Sequence, residues 1–364
     1  MSVQIAGMGW VTPLGGGVEE VWNRLLNGES ASAETLSSPL GRDYPVFRVP
    51  ASATAKAPAH PRLRRSSAIS RFAVVAGLEA LANAGVNLDP EIAQRTALIF
   101  AVSNGGVIYT KRFYHDIVES GAQAASPLLF PETVFNAPAS HLAAILGIAG
   151  ASYTLVGDGA VGILALKMAE DLMTSDTLDY CLVVGAEEAD WLLCDAYRKW
   201  RLLRSAPPIE PFQQPPRGMI LSEGAGAILL SSEGRASARP ISIERISTGT
   251  NFTHQREAPA AVEKIFAELC PPPPDLVAAS ANGTFIAAAE RAAIGKHSPK
   301  ARVYAVKGQL GESVGASSLW QTICGAQALI TRRVPGFTEP LSPQSAAILT
   351  CGLNQQVAGL NLTI

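Results

Sequence analysis

Twice along this chain a short β-branched run meets a glycine turn and continues as a long helix with almost no charge. The first copy is ASYTLVGDGAVGILALKMAEDL (151–172), the second ARVYAVKGQLGESVGASSLWQTICGAQALI (301–330). Helices this apolar need cover on more than one side. Two further echoes fall in the same order. LIFAVSNGG (98–106) and LVAASANGT (276–284) are both strands entering an Asn-Gly turn, and EGAGAILLSS (223–232) and SAAILTCGLNQQVAGLNLTI (345–364) each close a half. Three echoes in one order indicate an internal duplication. Strands alternating with helices imply largely parallel sheets covered by helices, with the two halves packed together over the apolar helices. The expected division is 1–238 and 239–364, with a surface loop at 36–61 and an irregular cap or interface insertion at about 107–135.

The rest of the composition narrows the partners. The chain has 364 residues, 48% hydrophobic and 16% charged, with a net charge of −2. Its mean hydropathy of +0.18 is apolar for a soluble protein and suggests a large interface. A near-neutral balance gives no reason to expect nucleic acid or a membrane surface. No uninterrupted apolar run reaches the roughly 18 residues of a membrane span, and the first residues lack the pattern of a secretion signal. Cys181, Cys194, Cys270, Cys324 and Cys351 are odd in number and scattered. They fit a reducing cytoplasm and offer neither a disulfide framework nor a metal site, and no cofactor is expected.

A sharp turn from strand to helix is where many enzymes place a nucleophile, because the helix N-terminus favours a thiolate or oxyanion there. At the turn Gly157-Asp158-Gly159 the apex is Gly159, or Asp158 if the register slips by one. Neither is a thiol.

Three stretches carry a family resemblance along the whole chain. IAGMGWVTPLGGGVEEVWNRLLNGES, RRSSAISRFAVVAGLEALANAGV and PFQQPPRGMILSEGAGAILL together resemble the β-ketoacyl synthases, the condensing enzymes of fatty-acid and polyketide assembly. The resemblance implies the thiolase fold: two related α/β halves in a five-layer α-β-α-β-α arrangement. It also implies a cysteine at the elbow that carries the acyl chain and two histidines that assist decarboxylation and stabilise developing charge. Here Gly159 stands for the cysteine, Asn282 of ANGT for one histidine, and Glu312 of KGQLGE for the other, with Lys307 retained. The loop that gates the acyl pocket in the family corresponds to Cys351, Gly352, Leu353 and Asn354, with Leu353 in place of the usual phenylalanine; with Asp158 these are the pocket candidates. Glycine cannot hold an acyl group, asparagine cannot shuttle a proton at neutral pH, and an ionised Glu312 has the wrong sign for an oxyanion.

The resemblance therefore implies a non-catalytic subunit of the chain-length-factor type. Such a subunit pairs with an active ketosynthase as a cytoplasmic heterodimer and shapes the acyl cavity in a type II polyketide, polyene or fatty-acid-like pathway. Arg62, Arg64, Arg65 and Arg71 form either a solvated face or a docking patch for an acidic acyl carrier protein. The apolar strand Tyr180, Cys181, Leu182, Val183, Val184 is expected at the sheet edge, pairing across a dimer axis; its alternative is a buried central strand. Lys307 reads as a structural ion pair or cap before a catalytic group. Two other functions stay open: a divergent acyltransferase using Cys351, Glu312 or Asp158, and a homodimeric scaffold for acyl carriers.

Overall fold

The computed structural model describes residues 3–232, 241–270, 272–339 and 342–364. Its first five-stranded set comprises β1 (Val3–Thr12), β2 (Thr96–Val102), β3 (Ser152–Val156), β4 (Tyr180–Glu187) and β5 (Gly224–Ser232). The second comprises β6 (Ile241–Ile246), β7 (Leu276–Ala278), β8 (Arg302–Tyr304), β9 (Ser345–Cys351) and β10 (Gln356–Thr363). The first set is ordered β3-β2-β4-β5-β1 and the second β8-β7-β9-β10-β6, the same arrangement strand for strand. Both sets keep the same directions, with three parallel strands at the outer side and two antiparallel pairings inward. They join through an antiparallel pairing of β1 with β6, Val3 opposite Ile243. The three sequence echoes fall on equivalent strands. The boundary expected at 238/239 lies in 233–240, outside the described residues.

The helices used below are α1 (Val18–Leu26), α2 (Ala68–Ala84), α3 (Val107–Ser120), α4 (Ala137–Leu146), α5 (Val161–Leu172), α6 (Trp191–Lys199), α7 (Ala258–Leu269), α8 (Ile286–His297) and α9 (Val314–Thr331). α2 and α4 cover the outer face of the first set, and α7 and α8 lie on the far side of the second. α5 and α9 are the two helices that follow the glycine turns, and they fill the space between the sheets. This explains their composition. In α9 fifteen residues are buried, Trp320 among them. A Cβ on Gly162 of α5 would stand 2.4 Å from Ser318 Oγ, and one on Gly185 of β4 2.4 Å from the Gly315 carbonyl. Only glycine permits approaches that close.

Three expectations are corrected. β4 is hydrogen-bonded to β2 on one side and β5 on the other, so it is not an edge. Cys181, Leu182, Val183 and Val184 are fully buried, and only Tyr180 is half-buried. A strand apolar on both faces belongs between two layers of helices. The edge on this side of the sheet is β3, which among the described residues pairs with β2 alone and exposes Tyr153 and Val156. The insertion is not irregular, since 107–120 is the helix α3. The presumed loop 36–61 contains most of a hairpin, Glu34–Ser38 with Arg42–Phe47, tied to α6 because Asp195 accepts from Arg42 and Tyr44.

Candidate functional site

The turn between β3 and α5 faces the turn between β9 and β10, and the two are joined by one carboxylate. Asp158 Oδ1 accepts from the Leu353 N–H at 3.1 Å, and Oδ2 accepts from Asn354 at 2.7 Å and Gln355 at 3.0 Å. In the reverse direction the Asp158 N–H donates to Gln356 Oε1 at 2.9 Å. A Cβ on Gly159 would lie 3.2 Å from Gly352 Cα, and a Cβ on Gly352 would overlap Asp158 Oδ2 at 2.0 Å. Gly159 thus occupies the apex with the opposing loop directly against it, and Asp158 points across to that loop.

Asn282, Lys307 and Glu312 also come together. Glu312 Oε2 accepts from Asn282 Nδ2 at 2.7 Å and faces Lys307 Nζ at 2.8 Å, and all three residues are buried. Asn282 Oδ1 is occupied by the Thr284 N–H and hydroxyl. Lys307 thus makes the ion pair expected of it, with Glu312 as partner. Each substitute completes its neighbour's bonding, and Glu312 Oε1 alone of their side-chain polar atoms has no partner.

Cys351 sits between these clusters, fully buried, its N–H donating to Ser280 Oγ. Burial, then the carboxylates of Glu290 and Asp158, push its thiol well above the ordinary value. A thiol held in that form is a poor nucleophile. Ser280 in turn donates through both N–H and hydroxyl to Glu290 Oε1, whose carboxyl burial raises to about 7.

Sequence reading missed Glu290, Gln356 and Glu187. Glu187 Oε2 accepts from the Ser103 and Asn104 N–H groups, and burial raises its carboxyl to about 7. The signal was available in GAEEAD, an acidic pair ending an otherwise apolar strand, where a buried acid must find donors.

The pocket candidates Asp158, Cys351, Gly352, Leu353 and Asn354 are adjacent to one another. Clefts of about 660, 520 and 220 Å³ are lined by other parts of the chain. Arg62, Arg64, Arg65 and Arg71 are exposed on the turn before α2 and its first residues, apart from this cluster. Among the described residues no group of three His, Cys, Asp or Glu side chains is placed to hold a metal ion. The thiol at the site, that of Cys351, is held protonated, and Glu312 Oε1, Glu290 Oε2 and Glu187 Oε1 have no hydrogen-bond partner.

Comparison with known proteins agrees with the architecture. Nodulation protein E of Rhizobium leguminosarum bv. trifolii is 25% identical over 363 residues, 93% of this chain and 89% of its own length. The 3-oxoacyl-(acyl-carrier-protein) synthase 2 of Vibrio harveyi is 24% identical over 253 residues, 65% of this chain and 59% of its own. Among solved structures, the ishigamide ketosynthase/chain length factor superposes with a TM-score of 0.84 at 20% identity, covering 100% of this chain and 98% of that one. A ketosynthase in complex with its chain length factor from Xenorhabdus doucetiae gives 0.82 at 17%, covering 100% and 98%. These likenesses give the thiolase fold. Residues 1–236 match the family described as β-ketoacyl synthase, N-terminal domain, and the chain belongs to the β-ketoacyl synthase family.

Proposed function

We propose that this chain is a non-catalytic ketosynthase-like subunit that pairs with an active β-ketoacyl-ACP synthase, in the manner of a chain length factor. The observation that carries the reading is the internal consumption of the site. Where the family places a nucleophile and two histidines, this chain has Gly159 against Gly352 and a closed Asn282–Glu312–Lys307 set.

The surface supports a large partner. α3 has no buried residue in the isolated chain, yet it carries Tyr114 and Val118, the latter 78% exposed. Leu128, Phe130, Val134 and Phe135 are exposed in the segment that follows, and the unpaired edge β3 adds Tyr153 and Val156. Apolar residues concentrated in one segment, together with an unprotected strand edge, call for cover. With the elbow closed, shaping of the acyl chain falls to this face rather than to Leu353. The exposed arginines Arg62, Arg64, Arg65 and Arg71 suit an acidic acyl carrier protein. One structural relative is a type II polyketide acyl-carrier protein in complex with its ketosynthase. The setting is a cytoplasmic, polyene-type or related pathway. The acyltransferase reading is disfavoured because the Cys351 thiol is fully buried and donates to the Gly352 carbonyl at 3.5 Å, and the Glu312 and Asp158 carboxylates are engaged internally.

The test is the native mass of the chain co-expressed with the ketosynthase encoded nearest to it. A one-to-one heterodimer is expected. A homodimer that excludes the ketosynthase refutes the reading and favours the carrier scaffold.

A further inference from the structure

We propose that Asp158 is the resident anion of a backbone nest, and that this carboxylate keeps the β9–β10 turn shut over the elbow. Three successive N–H groups, of Leu353, Asn354 and Gln355, converge on its two oxygens at 2.7 to 3.1 Å. Consecutive amides directed at one point form a concavity for an anion, here filled from within the same chain. The fit leaves no slack: Gly352 has no side chain, and a Cβ there would lie 2.0 Å from Oδ2 and 2.4 Å from the carboxyl carbon. Gln356 completes the arrangement by receiving the Asp158 N–H through its side chain, while its carbonyl receives the Gly352 N–H at 2.7 Å. The elbow belongs to the first set of strands and the turn to the second, so this one side chain ties the two halves across about 195 residues of sequence. The inference deepens the non-catalytic reading by naming what holds the site closed. It also assigns the nest a ligand class: with the Asp158 side chain removed, the three amides form a site for a small carboxylate.

The experiment is hydrogen exchange of the segment 352–356 in the full chain, compared between wild type and Asp158→Ala, with and without sodium formate. In Asp158→Ala the exchange of residues 353–355 is expected to rise by about 10- to 100-fold, the range for losing a few charge-assisted bonds at a site that opens locally. Formate, but not chloride at equal ionic strength, should restore protection in the variant and leave wild type unchanged. Should Asp158→Ala fold poorly, Gly352→Ala provides a second route, because its methyl expels the carboxylate without deleting it. The same loosening is then expected, and adding Gly352→Ala to Asp158→Asn should cause little more. Unchanged exchange in these variants, or a turn loosened by Asp158→Ala that formate does not restore, overturns the proposal. Heterodimer mass is measured on the same samples. A variant that loosens the turn yet pairs with the ketosynthase supports the nest, and a wild-type chain that fails to pair refutes only the subunit reading.

Discussion

The Lys307–Glu312 pair gives the sharpest test of whether the replaced histidine positions are structural. Both side chains are 1% exposed and their charged atoms lie 2.8 Å apart. At an effective dielectric near 20, opposite charges about 4 Å apart attract by about 4 kcal/mol. Desolvating each ion costs several kcal/mol in the other direction, so the intact pair is close to neutral in net effect. Removing one partner is not neutral. Lys307→Met leaves a buried carboxylate with Asn282 as its side-chain donor and an Oε1 that already lacks a partner. That should cost about 3–5 kcal/mol, the range for breaking a buried pair. Glu312→Gln leaves a buried ammonium and should cost a comparable amount. The double variant Lys307→Met/Glu312→Gln removes both charges and should be at least about 2 kcal/mol more stable than the sum of the singles predicts. Urea unfolding at pH 7, followed by circular dichroism and tryptophan fluorescence with m-values checked for constancy, reads all four corners of the cycle. A Lys307→Met cost below about 1 kcal/mol, or strict additivity, refutes the view that these groups exist for each other.

Stability should fall as pH rises from about 4.5 to 8. Burial raises Glu187 to about 7 and Glu188, with help from the neighbouring Glu223 and Glu187 carboxylates, to about 8. The folded chain therefore retains protons that the unfolded chain releases in that window, and the contribution is complete below it. Glu188→Gln should flatten the slope in urea melts taken at pH 5 and pH 8; an unaltered slope counts against the assignment. Native protein treated with iodoacetamide should show no label on Cys351 by peptide mass, whereas the urea-unfolded chain labels fully. Gly159→Cys should gain no acyl adduct from an acyl thioester by intact mass, because its Cβ would start 3.2 Å from Gly352 Cα and no histidine is present to assist. Arg64→Glu/Arg65→Glu should weaken carrier-protein binding by about tenfold or more at low salt, with the difference shrinking as salt rises.

The parts of this molecule legible from sequence are those encoded by local spacing. A glycine turn followed by an uncharged helix is a local signal, and the two copies do occupy equivalent places between the sheets. Asn282, Lys307 and Glu312 were located from short motifs, and the spacing that brings Lys307 to Glu312 lies within one turn and its exit. Strand order was not legible in the same way. β4 was read as an edge because nothing in its alternation separates an apolar edge from an apolar centre; the distinction depends on partners 84 residues upstream and 51 downstream, Thr96 and Ser231 opposite Tyr180. α3 was missed although Ile117 and Val118 recur at helical spacing after Phe113 and Tyr114; none of its residues is buried inside this chain. The nest around Asp158 was equally hidden, since its donors are backbone amides and any residue but proline supplies one.

The substitutions at the three catalytic positions make sense as a set. Replacing the cysteine alone with glycine would open a hole at the elbow, and replacing one histidine alone with glutamate would bury an unpaired charge. In this chain the space a side chain on Gly159 would need meets Gly352 and the Cys351 carbonyl, and the Glu312 charge meets Lys307 and Asn282. Each of these positions makes contacts within the chain, one holding a loop and one a pair of buried charges, with Glu312 Oε1 left without a partner. The elbow is kept because α5 still has to pass Ser318 and Leu319 of α9 at distances that only the small residues after Gly159 allow. The elbow serves packing between the halves, and the apolar segment around α3 and the edge β3 leave bonding and burial still to satisfy.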